Sequence, residues 1–237
     1  MYEKCAVILA GGKGARLRPY TIALPKPLVP VGDMPILEII LKRLANAGFH
    51  RIIITVNHLA DIVQAYCKDG SKWDLRIEYS LEDKPLSTMG PLKNLTNLPE
   101  HFLVMNGDVL TDLSLSGLYD FHIKQGNIFT IAGYNRTHVV DYGVLRLSEE
   151  GRLVGFEEKP QLAYTVSMGI YAVAREVLRY IPRDTFFGFD HLMHALLAEN
   201  EKVSVMPYDG YWMDIGRPDD YQHAIDDFES MKERLLS

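Results

Sequence analysis

The sequence predicts an α/β fold, a three-layer mixed, mostly parallel sheet with helices on both faces and a β-richer second half. Three observations predict it. Short apolar runs that stop at Gly or Asp alternate with segments of helical periodicity through about residue 140. The spacing between those runs suits crossover helices rather than tight hairpins. After Asp141, short strands joined by tight turns such as Glu150-Gly151 take over. The 237 residues are 47% hydrophobic and 24% charged, which is ordinary for a globular chain and excludes disorder as the main state.

The elements follow in order. Lys4–Ala10 is a continuous apolar run ending in Gly11-Gly12, as a strand buried on both faces should be. Residues 11–35 are rich in Gly and Pro and too long for an ordinary connection, and such loops are usually functional. Ile36, Leu37, Ile40, Leu41 and Leu44 then recur at helical spacing, with Pro35 suited to the first turn and Gly48 to the C-terminal cap. Arg51–Asn57 reads as a β-branched strand, Leu59–Lys68 as a helix and Leu75–Ser80 as a strand. Phe102–Met105 is another buried strand, running into Asn106-Gly107-Asp108. A helix over Leu113–Gln125 and a strand over Phe129–Ala132 close the first half. In the second half, strands are expected at Gly143–Leu147, Leu153–Glu157, Val166–Ala172 and Val203–Met206. Helices are expected at Arg175–Ile181, Phe189–Glu199 and residues 219–235. The whole chain, 1–237, reads as one domain with halves of about 1–140 and 141–237.

Composition narrows the function. Asp plus Glu number 31 against 25 Lys plus Arg, a formal charge of −6, which argues against nucleic acid as a partner. Cys5 and Cys67 lie in no metal or disulfide pattern and read as buried, reduced thiols of a cytoplasmic protein. No apolar run is long enough for a membrane span, and none resembles a signal peptide, so no membrane partner is expected.

The chemistry is concentrated in a few motifs. The first is Leu9-Ala10-Gly11-Gly12-Lys13-Gly14-Ala15-Arg16-Leu17, followed by Pro25-Lys26-Pro27-Leu28. Glycines after a strand let backbone N–H groups approach an anion, and Arg16 can fork onto phosphate oxygens. No Gly-Lys-Ser/Thr triplet follows, so this is not a Walker loop, and the third Gly of a dinucleotide fingerprint is missing. The second motif places Asp108 just past a buried strand, at the sheet edge where open α/β folds bind ligands.

The stretch from Leu9 to Leu37 closely resembles the signature of the sugar-1-phosphate nucleotidyltransferases, the NDP-sugar pyrophosphorylases. The resemblance runs through essentially the whole chain, and the sequence is most similar to mannose- or heptose-1-phosphate guanylyltransferase-like members. It implies a Rossmann-like fold and a reaction between an NTP and a sugar 1-phosphate, with a sugar-phosphate oxygen attacking the α-phosphorus and pyrophosphate leaving. Two repelling anions must be held in line, which calls for cations and a metal rather than a protein nucleophile.

The resemblance also implies roles. Leu9, Ala10, Gly11, Gly12, Lys13 and Gly14 would surround the nucleotide, Arg16 would bind the phosphates that leave, and Lys26 would reach the α-phosphate. Asp108 would hold Mg²⁺, or Mn²⁺, together with Asp214 of the Gly210–Pro218 motif. Glu82, Ser87 and Gly90 fall in the base-reading segment. An acceptor-only carboxylate at 82 suits guanine, with two adjacent N–H donors, better than uracil or thymine, with one. Tyr142, Gly143, Glu158, Lys159 and Ser167 would meet the sugar and its phosphate. The chain departs from the family pattern at Ala15 (usually Thr), Ser87 (Gly), Met89 (Ala) and Ser167 (Asn). Phe186–Asp190 either walls the sugar pocket or simply starts a helix.

Other readings stay open at this level: a uridylyl- or thymidylyltransferase, an activator of a non-sugar phosphate such as phosphocholine, or a catalytically weak nucleotide-sugar sensor. The retained Arg16, Lys26, Asp108, Lys159 and Asp214 speak for catalysis. No hexapeptide repeats follow the closing helix, so a monomer or a homodimer is expected rather than a trimer.

Overall fold

A computed structural model of the chain describes residues 3–236. The first half contains β1 (Lys4–Leu9), β2 (Pro30–Val31), β3 (Met34–Pro35), α1 (Ile36–Asn46), β4 (Phe49–Val56), α2 (Ala60–Cys67) and β5 (Arg76–Leu81). It continues with β6 (His101–Asn106), β7 (Val109–Thr111), α3 (Leu115–Gln125) and β8 (Phe129–Val139). The second half holds β9 (Val144–Leu147), β10 (Leu153–Glu157), β11 (Gln161–Ala174), α4 (Phe189–Ala198), β12 (Val203–Tyr208), β13 (Trp212–Asp214) and α5 (Pro218–Leu236).

The main sheet has seven strands in the order β12-β8-β11-β6-β1-β4-β5. Only β11 runs antiparallel to its neighbours, β6 and β8. The sheet is therefore mixed and mostly parallel, as expected. Alternation along each central strand feeds two cores. Ala6, Ile8, Leu103 and Met105 face one layer, packed against α1, α2, α3 and α5. Cys5, Val7, Phe102 and Val104 face the other, covered by α4 and short 3-10 turns. Burial on both faces is why these strands read as unbroken apolar runs. Cys5 and Cys67 are buried and form no disulfide, and burial pushes both thiols up to about 12.

Several elements depart from expectation. Strands β8 and β11 pair without a break from Val173 opposite Phe129 to Gln161 opposite Val139, apart from one register shift between Ser167 and Tyr171. Their outer halves are exposed, so no apolar alternation marks them in the sequence. The segment expected as a helix at Arg175–Ile181 is a 3-10 turn, Arg175–Tyr180. Pro182 disfavours helical backbone at Ile181, and the Arg175 N–H is taken by the Glu100 carbonyl at 2.7 Å. The two short strands β7 and β13, which pair antiparallel, have no counterpart in the sequence reading.

A buried polar chain ties α3 to the sheet. His122, fully buried, meets Thr130 Oγ1 through Nδ1 at 2.9 Å and His101 Nδ1 through Nε2 at 3.1 Å. Asn127 Nδ2 donates to the same Thr130 hydroxyl at 2.9 Å.

Burial first, and the neighbouring His101 second, lower the His122 pKa from 6.5 to about 4. Below pH 6.5 the unfolded chain takes up a proton that the folded chain refuses. The contribution to stability is therefore complete above pH 6.5 and declines toward pH 4, by at most about 1.4 kcal/mol per unit. Urea unfolding at pH 7.5 and 5.0 should show a smaller acid loss for His122→Gln than for wild type. Equal losses would remove His122 as the cause.

Candidate active site

The C-terminal ends of the parallel strands β1, β4, β5 and β6 surround a cavity of about 430 Å³. Open α/β sheets bind ligands at this edge, because the loops leaving it are free to diverge. Leu9, Thr55, Glu82 and Asn106 reach it from or just beyond the strand ends, and Asp108 and Asp214 from the far side.

The long loop after β1 forms one wall. Gly11 and Gly12 line the cavity, and a Cβ on Gly11 would stand 2.6 Å from Glu82 Oε1, so a side chain there would push the Glu82 carboxylate aside. Gly14 adopts φ +59°, and its carbonyl accepts from Thr21 Oγ1 at 2.7 Å and the Leu17 N–H at 2.9 Å. This turn directs Lys13 and Arg16 to the mouth, where both are exposed and line the cavity. Ala10 is buried beneath, its N–H donating to the Thr55 carbonyl at 2.9 Å. Lys26 sits between Pro25 and Pro27 in a single 3-10 turn and is only 9% exposed. Its Nζ pairs with the Asp108 carboxylate, so the cation expected at the α-phosphate and the expected metal ligand form one unit.

Asp108 and Asp214 are brought together by β7 and β13. Asp214 lies opposite Val109, and the Ile215 N–H donates to the Asp108 carbonyl at 3.0 Å. The ribbon is clasped from outside by Asp112. That carboxylate accepts from the Tyr211 N–H at 2.8 Å, from the Tyr208 hydroxyl and from Arg234 of α5. Asp214 opens onto the cavity, yet the surrounding protein and then the Asp108 charge raise its pKa, against the pull of Lys26 and Arg16. Asp108 Oδ1 is buried with no hydrogen-bond partner. An orphaned carboxylate oxygen beside a second carboxylate fits a hard divalent cation. Among the described residues no group of three or more His, Cys, Asp or Glu could hold a metal. Two protein carboxylates, with substrate phosphates and water for the rest, match the habit of Mg²⁺.

The opposite end is built around Glu82. Its backbone is fixed by Glu82 N–H to Val56 O at 2.9 Å and Asn57 Nδ2 to Glu82 O at 2.7 Å. Burial raises its pKa, partly countered by the Leu86 N–H on Oε2 at 3.4 Å. Ser87 lines the cavity at φ +66°, the left-handed region that glycine favours, so the departure from the family's Gly is a Ser carrying backbone strain. Met89 is fully buried in the second core, so that departure lies in packing rather than in the cavity. Gly90 is also buried outside the cavity, its N–H donating to Phe187 O at 2.8 Å. Thr55, Asn57, Asn106, Thr88 and Phe186 line the cavity and were not singled out as binding residues in the sequence, except Phe186 as a possible wall. Strand ends at 55–57 and 106 were the available signal.

The residues expected at the sugar lie elsewhere. Tyr142 and Gly143 lead into β9, and Glu158 and Lys159 leave β10, with Lys159 at φ +45°. None of the four lines the cavity. Gly143 and Glu158 do meet, since a Cβ on Gly143 would stand 2.6 Å from the Phe156 ring and 3.1 Å from Glu158 Oε2. Ser167 Oγ donates to the Tyr171 hydroxyl at 3.1 Å and faces a separate apolar groove beside α4. Phe189 begins α4, and Phe186 just before it lines the Glu82 cavity rather than the region of the residues expected at the sugar.

The nucleotidyl transferase family profile matches residues 5–231. The UTP–glucose-1-phosphate uridylyltransferase of Synechocystis is 34% identical over 93% of this chain and 62% of its own length. The mannose-1-phosphate guanylyltransferase of Mycobacterium tuberculosis is 34% identical over 91% of the chain, again 62% of its own length. The chain thus spans about 62% of the length of these curated relatives. Among solved structures, HddC from Yersinia pseudotuberculosis superposes with a TM-score of 0.73 at 27% identity, covering 95% of this chain and 99% of that one. The same protein complexed with GMP-PN matches with a TM-score of 0.73 at 26% identity, over 95% of this chain and 99% of that one. With a profile that runs from β1 into α5 over a fold and a cavity of this kind, the chain belongs to the nucleotidyl transferase family.

Proposed function

We propose that the protein joins an NTP and a sugar 1-phosphate into an NDP-sugar and pyrophosphate, with guanine as the base and a mannose- or heptose-type sugar. The observation that carries the reading is the convergence of Asp108, Asp214 and Arg16 on one cavity, with Lys26 paired to Asp108 at its edge. A site with two carboxylates, a sheltered lysine and an exposed arginine suits phosphoryl chemistry. The sugar-phosphate oxygen would form the new bond to the α-phosphorus as the bond to the β-phosphate oxygen breaks.

Lys26 is held by prolines and burial, so it meets developing charge at the α-phosphate without reorganising. Arg16, at the mouth, suits the β- and γ-phosphates. Gly11, Gly12, Lys13 and Gly14 leave the nucleotide room and backbone contact, and Leu9 and Ala10 support it from β1. Mg²⁺ held by Asp108 and Asp214 would supply charge neutralisation on the phosphates. Glu82 favours guanine because a carboxylate accepts two donors at once. The names of the guanylyltransferase relatives and the GMP-PN complex of HddC support that preference. The uridylyltransferase relative at the same identity supports UTP as the second reading. Glu158 and Lys159, with Tyr142 and Gly143, would take the sugar and its phosphate, and Ser167 would contribute from β11.

Pyrophosphate release should appear with GTP and mannose 1-phosphate in Mg²⁺ and fall to background in EDTA. A panel of four NTPs ranks the bases, and UTP above GTP would transfer the reading to uridylyl transfer. Lys26→Ala should lower kcat by about 10²–10³-fold, far more than Lys13→Ala, since Lys13 is exposed and unconstrained. Equal effects would mean that Lys26 does not act at the α-phosphate.

Asp214→Asn removes one of two facing charges. In metal-free buffer it should leave the melting temperature unchanged or raise it slightly, because the repulsion is screened where Asp214 opens to solvent. It should also abolish the rise in melting temperature that MgCl₂ gives wild type. A magnesium response that survives in Asp214→Asn would place the ion elsewhere.

Lys159→Ala should raise KM for the sugar 1-phosphate several-fold and leave GTP binding in the absence of sugar untouched. Loss of GTP affinity in an equilibrium titration would assign the β9–β10 ribbon to the nucleotide instead.

A further inference from the structure

Among the described residues, two buried side-chain oxygens at the cavity have no hydrogen-bond partner, Asp108 Oδ1 and Thr55 Oγ1. The first stands beside a second carboxylate and suits a cation. The second belongs to a residue only 1% exposed, at the end of β4, with Leu9 of β1 and Ser80 of β5 as its strand neighbours. Thr55 shares a strand face with Ile53, which packs in the second core. A valine would fill that place at no polar cost, so the buried hydroxyl calls for a reason.

The reason lies at Glu82. The Thr55 hydroxyl and the Leu86 N–H are the two groups that hold the Glu82 pKa down against burial. The Glu82 main chain is already fixed, by the Val56 carbonyl on its N–H and by Asn57 Nδ2 on its carbonyl. The carboxylate is held far less firmly. Its Oε2 accepts from the Leu86 N–H at a long 3.4 Å, and its Oε1 lies in the space that Gly11 leaves by lacking a Cβ. A long side chain held so loosely keeps rotamer freedom that a ligand would have to freeze.

We propose that Thr55 is a specificity-determining positioning residue: its hydroxyl donates to the Glu82 carboxylate and holds it in the pose that accepts both N–H donors of a guanine base. The inference rests on the reading of Glu82 as the group that meets the base. A carboxylate has about four acceptor sites, so the Leu86 N–H and the Thr55 hydroxyl leave two for the adjacent donors of guanine. A hydroxyl donating from behind also favours the ionised, acceptor-only form in a place where burial favours the neutral acid. The neutral acid would present an O–H where guanine needs an acceptor. Thr55 thus acts through Glu82 and not on the base itself.

Equilibrium titrations of the full chain with GTP and with ITP, whose base lacks the 2-amino donor, read that pose. Wild type should bind GTP about tenfold or more tightly than ITP, the scale of one hydrogen bond to a charged group. Thr55→Val should bring the two affinities within about threefold, mainly by weakening GTP, whereas Thr55→Ser should keep the wild-type ratio. Adding Thr55→Val to Glu82→Gln should change the ratio no further, since both act through one carboxylate. Thr55→Val should melt no lower than wild type, because it removes a buried hydroxyl and keeps the shape. A hydroxyl serving the fold alone would give the reverse, a lower melting temperature with the ratio intact. A Thr55→Val variant that keeps the ratio while Glu82→Gln loses it overturns the proposal and leaves the reading of Glu82 standing. Equal weakening of GTP and ITP also overturns it, because Thr55 would then shape the cavity rather than the carboxylate. If Glu82→Gln keeps the wild-type ratio, or wild type shows no preference, Glu82 does not read the two donors, and the inference falls with that reading.

Discussion

Two carboxylates set side by side repel one another, and the candidate site depends on how the fold holds them there. Asp108 and Asp214 are fixed by the register of β7 and β13, three residues each, which contribute little by themselves. What holds that register lies outside the site. Asp112 gathers the Tyr211 amide, the Tyr208 hydroxyl and Arg234, and Arg43 of α1 donates to Leu113 O at 2.7 Å and Arg234 O at 2.9 Å. Helix α5 is thereby fastened to the far side of the ribbon that carries the charges. Lys26 offsets the repulsion directly, and its own placement comes from the prolines on either side of it.

The rest of the cavity follows from the parallel sheet. All the strands that end at the cavity run the same way, so their exits deliver Leu9, Thr55, Glu82 and Asn106 to one edge. The loop after β1 then has to fold back across that edge. Gly11 yields its space to Glu82, and the Gly14 turn sends Arg16 outward while Lys26 goes inward. Carboxylates stand at both ends of the cavity. Asp108 and Asp214 line one end of the cavity and Glu82 the other.

Much of this was legible in residues. The apolar runs of β1, β4 and β6 are continuous because both of their faces are buried, and α1 shows its period because one face is not. The outer halves of β8 and β11 were not legible, since a strand exposed on both faces carries no alternation. Helical periodicity at 175–181 misled because four apolar residues in seven fit a 3-10 turn as well as an α-helix. In the site, residue types suggested phosphate and metal chemistry, and the individual roles came from the family resemblance alone. The meeting of Asp108 with Asp214 was not legible from spacing, because it is set by pairing between short strands far apart in the chain. Thr55 and Asn57 were hidden for a related reason: nothing in a β-branched strand says which of its last residues turns toward a ligand.

The segment 82–90, with its Pro, Ser, Thr and charged residues, has the composition of a tether that a protease would nick. It is not one. Leu86 O accepts from the Phe187 N–H at 3.0 Å, Phe187 O accepts from the N–H groups of Met89 and Gly90 at 3.0 and 2.8 Å, and Thr88 Oγ1 accepts from the Phe189 N–H at 2.9 Å. Cleavage needs several consecutive residues drawn out in extended form, and here the backbone is stitched to a segment a hundred positions away. The same stitching makes the stretch a poor place for inserting a foreign peptide or opening new termini, whereas the exposed Glu149-Glu150-Gly151 turn offers no such resistance.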